Sequence, residues 1–92
     1  MMVRLSSRAE SHIAGMRDYL KARGAAGTAT RYSVAIRAAL VLLSYFPQYG
    51  HPGTAAGTYE WVVRATPYIV VYELLGRDEL MVLGVFHEAQ DR

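Results

Sequence analysis

The chain reads as an α+β protein, with a two-helix hairpin packed on one face of an antiparallel sheet in the order β-α-α-β-β-β. Three observations predict this class. Apolar residues recur at helical spacing through the first half of the chain. Three runs rich in Val, Ile, Leu and Tyr follow, separated by short turns. A brief alternating run, Met2–Leu5, precedes the first helical segment. Strands at both ends with helices between them give two layers around one core.

Met-Val-Arg-Leu (Met2–Leu5) alternates as a short strand does and runs into Ser-Ser-Arg-Ala-Glu, where Ser7 and Glu10 have the spacing of a capping box. Ile13, Met16 and Leu20 then recur at helical spacing, and Gly24 supplies a stop. Gly24–Gly27 is a tight link. Thr28 or Thr30 is a cap for a second helix, with Tyr32, Ile36, Ala39, Leu40 and Leu43 as its inner stripe and Pro47 at its end. Pro and Gly punctuate Pro47–Thr58 as a loop. Tyr59–Arg64, Tyr68–Leu75 and Glu79–His87 are strands, and the turns Ala65–Pro67 and Gly76–Asp78 connect them as an antiparallel meander.

Ninety-two residues suffice for one small domain, spanning residues 1–92. Hydrophobic content of 52% against 20% charged residues places the chain among globular rather than disordered proteins. No apolar run approaches the roughly 18 residues of a membrane span. Met1–Glu10 has no apolar signal core, and no cysteine is present to form a disulfide or a thiolate zinc site. A cytoplasmic protein without membrane contact, metal or cofactor is the expectation. The net charge of +2, with Lys and Arg spread along the chain, is no nucleic-acid footprint.

The last two strands raise a question of coverage. Tyr68, Val70 and Tyr72 point opposite to Ile69, Val71 and Glu73; Leu80, Val82, Gly84 and Phe86 point opposite to Met81, Leu83, Val85 and His87. Both faces are largely apolar, yet two helices cover only one. An antiparallel sheet with a solvated face alternates more cleanly. An apolar outer surface of Ile69, Val71, Met81, Leu83 and Val85 therefore marks an interaction site for a second chain.

The progression Gly57-Thr58-Tyr59-Glu60-Trp61-Val62-Val63, Pro67-Tyr68-Ile69-Val70-Val71-Tyr72 and Leu83-Gly84-Val85-Phe86-His87-Glu88-Ala89-Gln90 resembles the RelE/ParE superfamily of bacterial toxins, closest to its ParE branch. Pro47–Gly50 matches that family's P-x-x-G, and the likeness covers essentially the whole chain. The resemblance implies the toxin of a type II toxin–antitoxin pair, inhibiting growth and stabilising a plasmid or chromosome. It implies a ParD-like ribbon-helix-helix antitoxin that wraps the toxin and carries the complex to operator DNA. It also implies DNA gyrase as the target of the ParE branch and ribosome-bound mRNA as that of the RelE branch.

The two branches differ in chemistry. RelE-type RNases carry basic residues on the open sheet face, because phosphoryl transfer needs cations and an acid–base pair. At the corresponding positions this chain has Glu60, Val62 and Ile69, so the resemblance points to a non-enzymatic ParE toxin, with an mRNA endonuclease or an attenuated, antitoxin-binding toxin as alternatives. Within the ParE pattern, Tyr59, Glu73 and Gly84 stand where Arg is common.

The remaining candidates carry two readings each. His87 is either a catalytic group partnered by Glu60 or a strand-end histidine bonded to nearby backbone. Arg64 is either a bidentate partner for an antitoxin carboxylate or a surface residue. Trp61 belongs to core or interface. Tyr68 and Tyr72 share a face with Val70 and read as core rather than as base-stacking platforms. Arg64 joins Ile69, Val71, Met81, Leu83 and Val85 as the antitoxin-binding set. His87, Glu88, Gln90 and Arg92 are the target-binding set, because the resemblance links the C-terminal segment to toxicity.

Overall fold

A computed structural model describes residues 1–90; Arg92 of the target-binding set lies outside the described residues. The elements are β1 (Met2–Leu5), α1 (Ser7–Ala22), α2 (Ala26–Tyr45), a 3-10 turn at Pro47–Tyr49, β2 (His51–Pro52), β3 (Thr58–Val62), β4 (Tyr68–Leu75) and β5 (Glu79–His87). The strands form one sheet in the order β1-β5-β4-β3-β2. β3, β4 and β5 are the expected meander. The sheet is mixed rather than wholly antiparallel, because β1 pairs with β5 in parallel after the chain has crossed through both helices. The two-residue β2 lies inside the segment expected to be loop and borders β3.

The cap of α1 is Ser6, not Ser7. Its backbone is extended and its Oγ accepts from the Ala9 N–H at 3.0 Å. Ser6 is held there by the sheet, since its N–H donates to the Val82 carbonyl at 3.0 Å and its Oγ–H to the Leu83 carbonyl at 3.1 Å. Gly24, at φ 74°, closes α1 with a pair of bonds, Ala25 N–H to Leu20 O and Gly24 N–H to Lys21 O. That turn feeds directly into α2, which starts at Ala26 with no side-chain cap; Thr28 and Thr30 lie inside the helix, and Thr30 Oγ donates to the Ala26 carbonyl.

Ala9 and Met16 of α1 and Ile36, Ala39 and Leu43 of α2 pack on Val70, Tyr72, Leu80, Val82 and Val85 of the sheet and on Val63 just past β3. Tyr32 and Leu40 of the expected stripe are half-buried against this core. Tyr72 is wholly buried, and its hydroxyl donates to the Pro47 carbonyl at 2.6 Å and accepts from the Gly50 N–H at 3.0 Å. A Cβ at Gly50 would overlap that hydroxyl, which is the physical content of the Pro47–Gly50 spacing. Among the described residues no helix is long and apolar enough to cross a membrane.

Candidate functional site

The face of the sheet away from the helices is set by register. Val62, Ile69 and Phe86 form one cross-strand row; Glu60, Val71 and Gly84 form the next; Thr58, Glu73 and Met81 the third. Between the last two rows the ladder slips. Val71 pairs with Gly84 but Tyr72 pairs with Val82, so Leu83 is an extra residue without a partner on β4. This β-bulge reverses the side-chain phase of β5. Leu80 and Val82 face the helices before it, and Val85 and His87 face them after it.

The bulge corrects the expected outer surface. Val85 is 5% exposed and belongs to the core under α1, not to the outer face. Ile69 does lie on the outer face but is 8% exposed. Val71, Met81 and Leu83 remain half-buried there, and Val62, which the sequence did not nominate, is 53% exposed. Phe86, assigned from simple alternation to the helix side, turns outward. Its ring lies over Gly84, packs on His12 at 4.8 Å between centroids and carries the Arg8 guanidinium at 5.3 Å.

A depression of about 180 Å³ opens on this face among Arg8, Thr58, Glu60, Val71, Leu83 and Phe86. Glu60 is 5% exposed, with Oε2 only 3.3 Å from where a Cβ on Gly53 would lie. The one ion pair among the described residues, Arg4–Glu79 at 3.4 Å, sits at the β1 edge of the same face.

His12 was not among the candidates that the sequence offered. Its Nδ1 accepts from the Val85 N–H at 3.1 Å, tying α1 to β5 just past the bulge. Burial, and secondarily the nearby Arg8 charge, hold its pKa below the ordinary imidazole value. No helical or strand pattern would have singled it out, because the partner is a backbone amide on a distant strand.

The structure separates His87 from Glu60. His87 sits on the helix side with its ring edge-on to Tyr68 at 5.5 Å, while Glu60 lies on the outer face. His87 Nδ1 accepts from the Ala89 N–H at 3.1 Å, and the His87 N–H donates to Gln90 Oε1 at 2.6 Å. Glu88 is exposed, and its N–H donates to the Pro67 carbonyl at 2.7 Å. The geometry thus follows the backbone-bonded reading of His87, and the pairing with Glu60 is corrected.

Arg64 is also apart from the outer face. It is exposed beside the β3–β4 turn, where Ala65 adopts φ 64°, and it lines an apolar groove with Trp61, Ala38 and Leu42 against α2. Trp61 is half-buried on the helix side and packs against the core. The three positions without Arg divide likewise. Glu73 and Gly84 lie in outer rows, whereas Tyr59 is on the helix side, stacked on Tyr72 at 5.6 Å. Burial raises the pKa of both Tyr68 and Tyr72, as their core positions require. Among the described residues no group of three or more His, Cys, Asp or Glu is arranged to hold a metal ion.

Residues 3–92 match the family described as "ParE toxin of type II toxin-antitoxin system, parDE". Among solved structures, the fold is similar to one titled "Chromosomal ParDE TA system from P. aeruginosa", with a TM-score of 0.83, 15% identity and 95% of each chain covered. At that identity the likeness is one of fold. No curated protein matches the sequence.

Proposed function

This chain belongs to the ParE toxin family of type II toxin–antitoxin systems, and on that premise we propose that a ParD-like antitoxin neutralises it by covering the outer face of the sheet. The complex binds operator DNA through the antitoxin in the cytoplasm, and the free toxin inhibits DNA gyrase without catalysing a reaction. One observation carries this reading. The outward rows of β3, β4 and β5 contain no Lys, Arg or His, and they surround a shallow apolar depression. Such a surface suits coverage by a protein. A phosphate in transfer would need cations aimed at it, and the nearby arginines are engaged, Arg4 by Glu79 and Arg8 by Phe86. The placement of His87 and Glu60 on opposite faces supports this reading over the endonuclease alternative, which would pair them.

The antitoxin contact is expected at Val62, Val71, Met81, Leu83 and Phe86, with Val85, the buried Ile69 and the distant Arg64 withdrawn from the set. Co-expression with the antitoxin should give a complex with a nanomolar or tighter Kd, on the order of −12 kcal/mol. Leu83→Asp should weaken it at least tenfold while the chain stays folded. For the target, the protein is induced in cells without antitoxin. Supercoiling by purified gyrase is compared with mRNA cleavage mapped by primer extension. Blocked supercoiling or trapped gyrase–DNA complexes with intact transcripts support the proposal. Ribosome-dependent cuts that disappear in Glu60→Gln or His87→Ala would overturn it.

A further inference from the structure

On the flank of α1 turned away from α2, a cavity of about 320 Å³ lies between that helix and the C-terminal end of β5. Its polar groups are Ser11, His12, His87 and Gln90. Met16, Tyr19, Tyr68 and Val85 form an aromatic and apolar wall beside them. Among the described residues, no Asp, Glu, Lys or Arg lines it.

The two histidines come from distant parts of the chain and are held in the same way. His12 Nδ1 accepts from the Val85 N–H, and His87 Nδ1 accepts from the Ala89 N–H, each at 3.1 Å. A backbone N–H only donates, so each neutral ring has its lone pair on Nδ1 and its proton on Nε2. Gln90 is fixed likewise. Its Oε1 accepts from the His87 N–H at 2.6 Å, which leaves the amide NH2 of that side chain as a donor. The backbone has thus engaged the acceptors of all three side chains and left their donors.

That inventory selects the ligand. A metal ion would need the ring lone pairs, and both are engaged by backbone amides. An amine would meet N–H groups that repel it. A phosphate dianion would want a cation in contact with it, and none lines the cavity. A carboxylate carries one charge, and its oxygens only accept. Arg8 near His12, and Arg23 at 5.0 Å over the Tyr19 ring, add positive potential without lining the cavity.

We propose that this cavity binds a small-molecule carboxylate with an aromatic or apolar body, its oxygens held by the Nε2–H groups of His12 and His87 and its body against Tyr19 and Tyr68. The site goes beyond the antitoxin and gyrase readings and rests on neither.

The test is an NMR titration of the 15N-labelled full chain with benzoate, at a pH above the ordinary imidazole value of about 6.5. Long-range 15N spectra should first show both rings with the proton on Nε2. Benzoate should then shift the Val85 and Ala89 amides along one saturating curve. Benzamide has nearly the same shape without the charge, and should bind at least about tenfold more weakly, the scale of hydrogen bonds to a charged group. His87→Phe keeps a ring beside Tyr68 but has no donor, and should weaken benzoate by about the same factor. Arg31→Ala is the control, since Arg31 is exposed on α2 outside the cavity. Thermal melting establishes that both variants fold, and the comparison of benzoate with benzamide in the parent decides the matter if His87→Phe does not. Equal affinity for benzoate and benzamide would reduce the site to an apolar pocket. Tighter binding of inorganic phosphate would assign it to another anion. A ring protonated on Nδ1, or undiminished benzoate binding by folded His87→Phe, would remove the donors. Any of these results overturns the proposal.

Discussion

β4 and β5 are neighbours of nearly equal length and similar composition, and they obey different rules. On β4 the alternation holds from end to end: Val70 and Tyr72 are fully buried under the helices, while Val71 and Glu73 face out. β5 begins the same way with Leu80 and Val82 inward, then spends one residue, Leu83, without a partner. Everything beyond it changes sides. Val85 joins the core, Phe86 turns out, and His87 meets Tyr68 on the helix side. A period of two therefore reads a strand only up to its first bulge, and in this chain the bulge falls just before the residues that invite a functional assignment.

The largest effect expected from this difference is at Val85. Val85→Asp should cost on the order of 3–5 kcal/mol, the scale of an uncompensated buried charge, and abolish cooperative melting. Leu83→Asp, two residues away and facing out, should cost less than about 1 kcal/mol of stability and act on antitoxin affinity instead. Denaturant melts of both variants decide it. Similar losses would mean that the phase reversal is absent.

Gly84 tests the outward turn of Phe86. A Cβ there would lie 2.5 Å from Phe86 Cε2 and 3.1 Å from His12 Cε1, so the ring already fills the space an Arg at this position would use. Gly84→Arg should cost about 1–3 kcal/mol, as overpacking does. Phe86→Ala in the same chain empties the space the ring fills and should recover most of that loss. Restoring Arg at Tyr59, Glu73 and Gly84 is then no uniform repair. Tyr59 is stacked in the core layer, and Gly84 accepts the side chain only if Phe86 yields. A Gly84→Arg variant as stable as the parent would show that the ring does not rest on the glycine.

Much of this architecture is written in local pattern. The bounds of β1, β4 and β5, the helical stripe from Ile36 to Leu43 and the stop at Gly24 all follow from spacing and from glycine's access to positive φ. What spacing cannot carry is any choice made by a distant partner. Ser6 rather than Ser7 caps α1 because Val82 and Leu83 hold it. β1 runs parallel to β5 because two helices intervene. The outer site suffers most, since its membership depends on one unpaired residue in β5. Ile69, Val71, Met81 and Leu83 were legible as outward, whereas Val85 and Phe86 were each placed on the wrong side and Arg8 and His12 went unseen.

Ser6 links the helix to the bulge, because one hydroxyl caps α1 and also satisfies the carbonyl of the bulged Leu83. Ser6→Ala should cost about 1–2 kcal/mol, the upper range for a lost helix cap. Ser6→Asp separates the two roles, since a carboxylate caps a helix but has no proton for the Leu83 carbonyl. If the bulge needs that proton, Asp should recover no more than part of the loss and amide exchange at Val85 should quicken. Full recovery by Asp would assign the whole effect to the cap.

The smallest effect is the pH dependence that His12 imposes just past the bulge. Its Nδ1 accepts from the Val85 N–H, so the neutral ring carries its proton on Nε2, and a second proton would remove the acceptor. Burial and then Arg8 push the folded pKa below the ordinary value of about 6.5. The unfolded chain therefore binds a proton more readily than the folded one between those two values. The stabilising contribution is present in full above about pH 6.5 and drains away as pH falls through the unfolded value toward the folded one. β4 has no such tie to α1, so amides of β5 around Val85 should lose exchange protection on acidification before those of β4 around Val70. His12→Gln, which keeps an acceptor that does not titrate, should flatten the dependence of Tm on pH between about 7.5 and 5.5. A variant with the same slope as the parent would place the titration elsewhere and leave the Val85 contact a bystander.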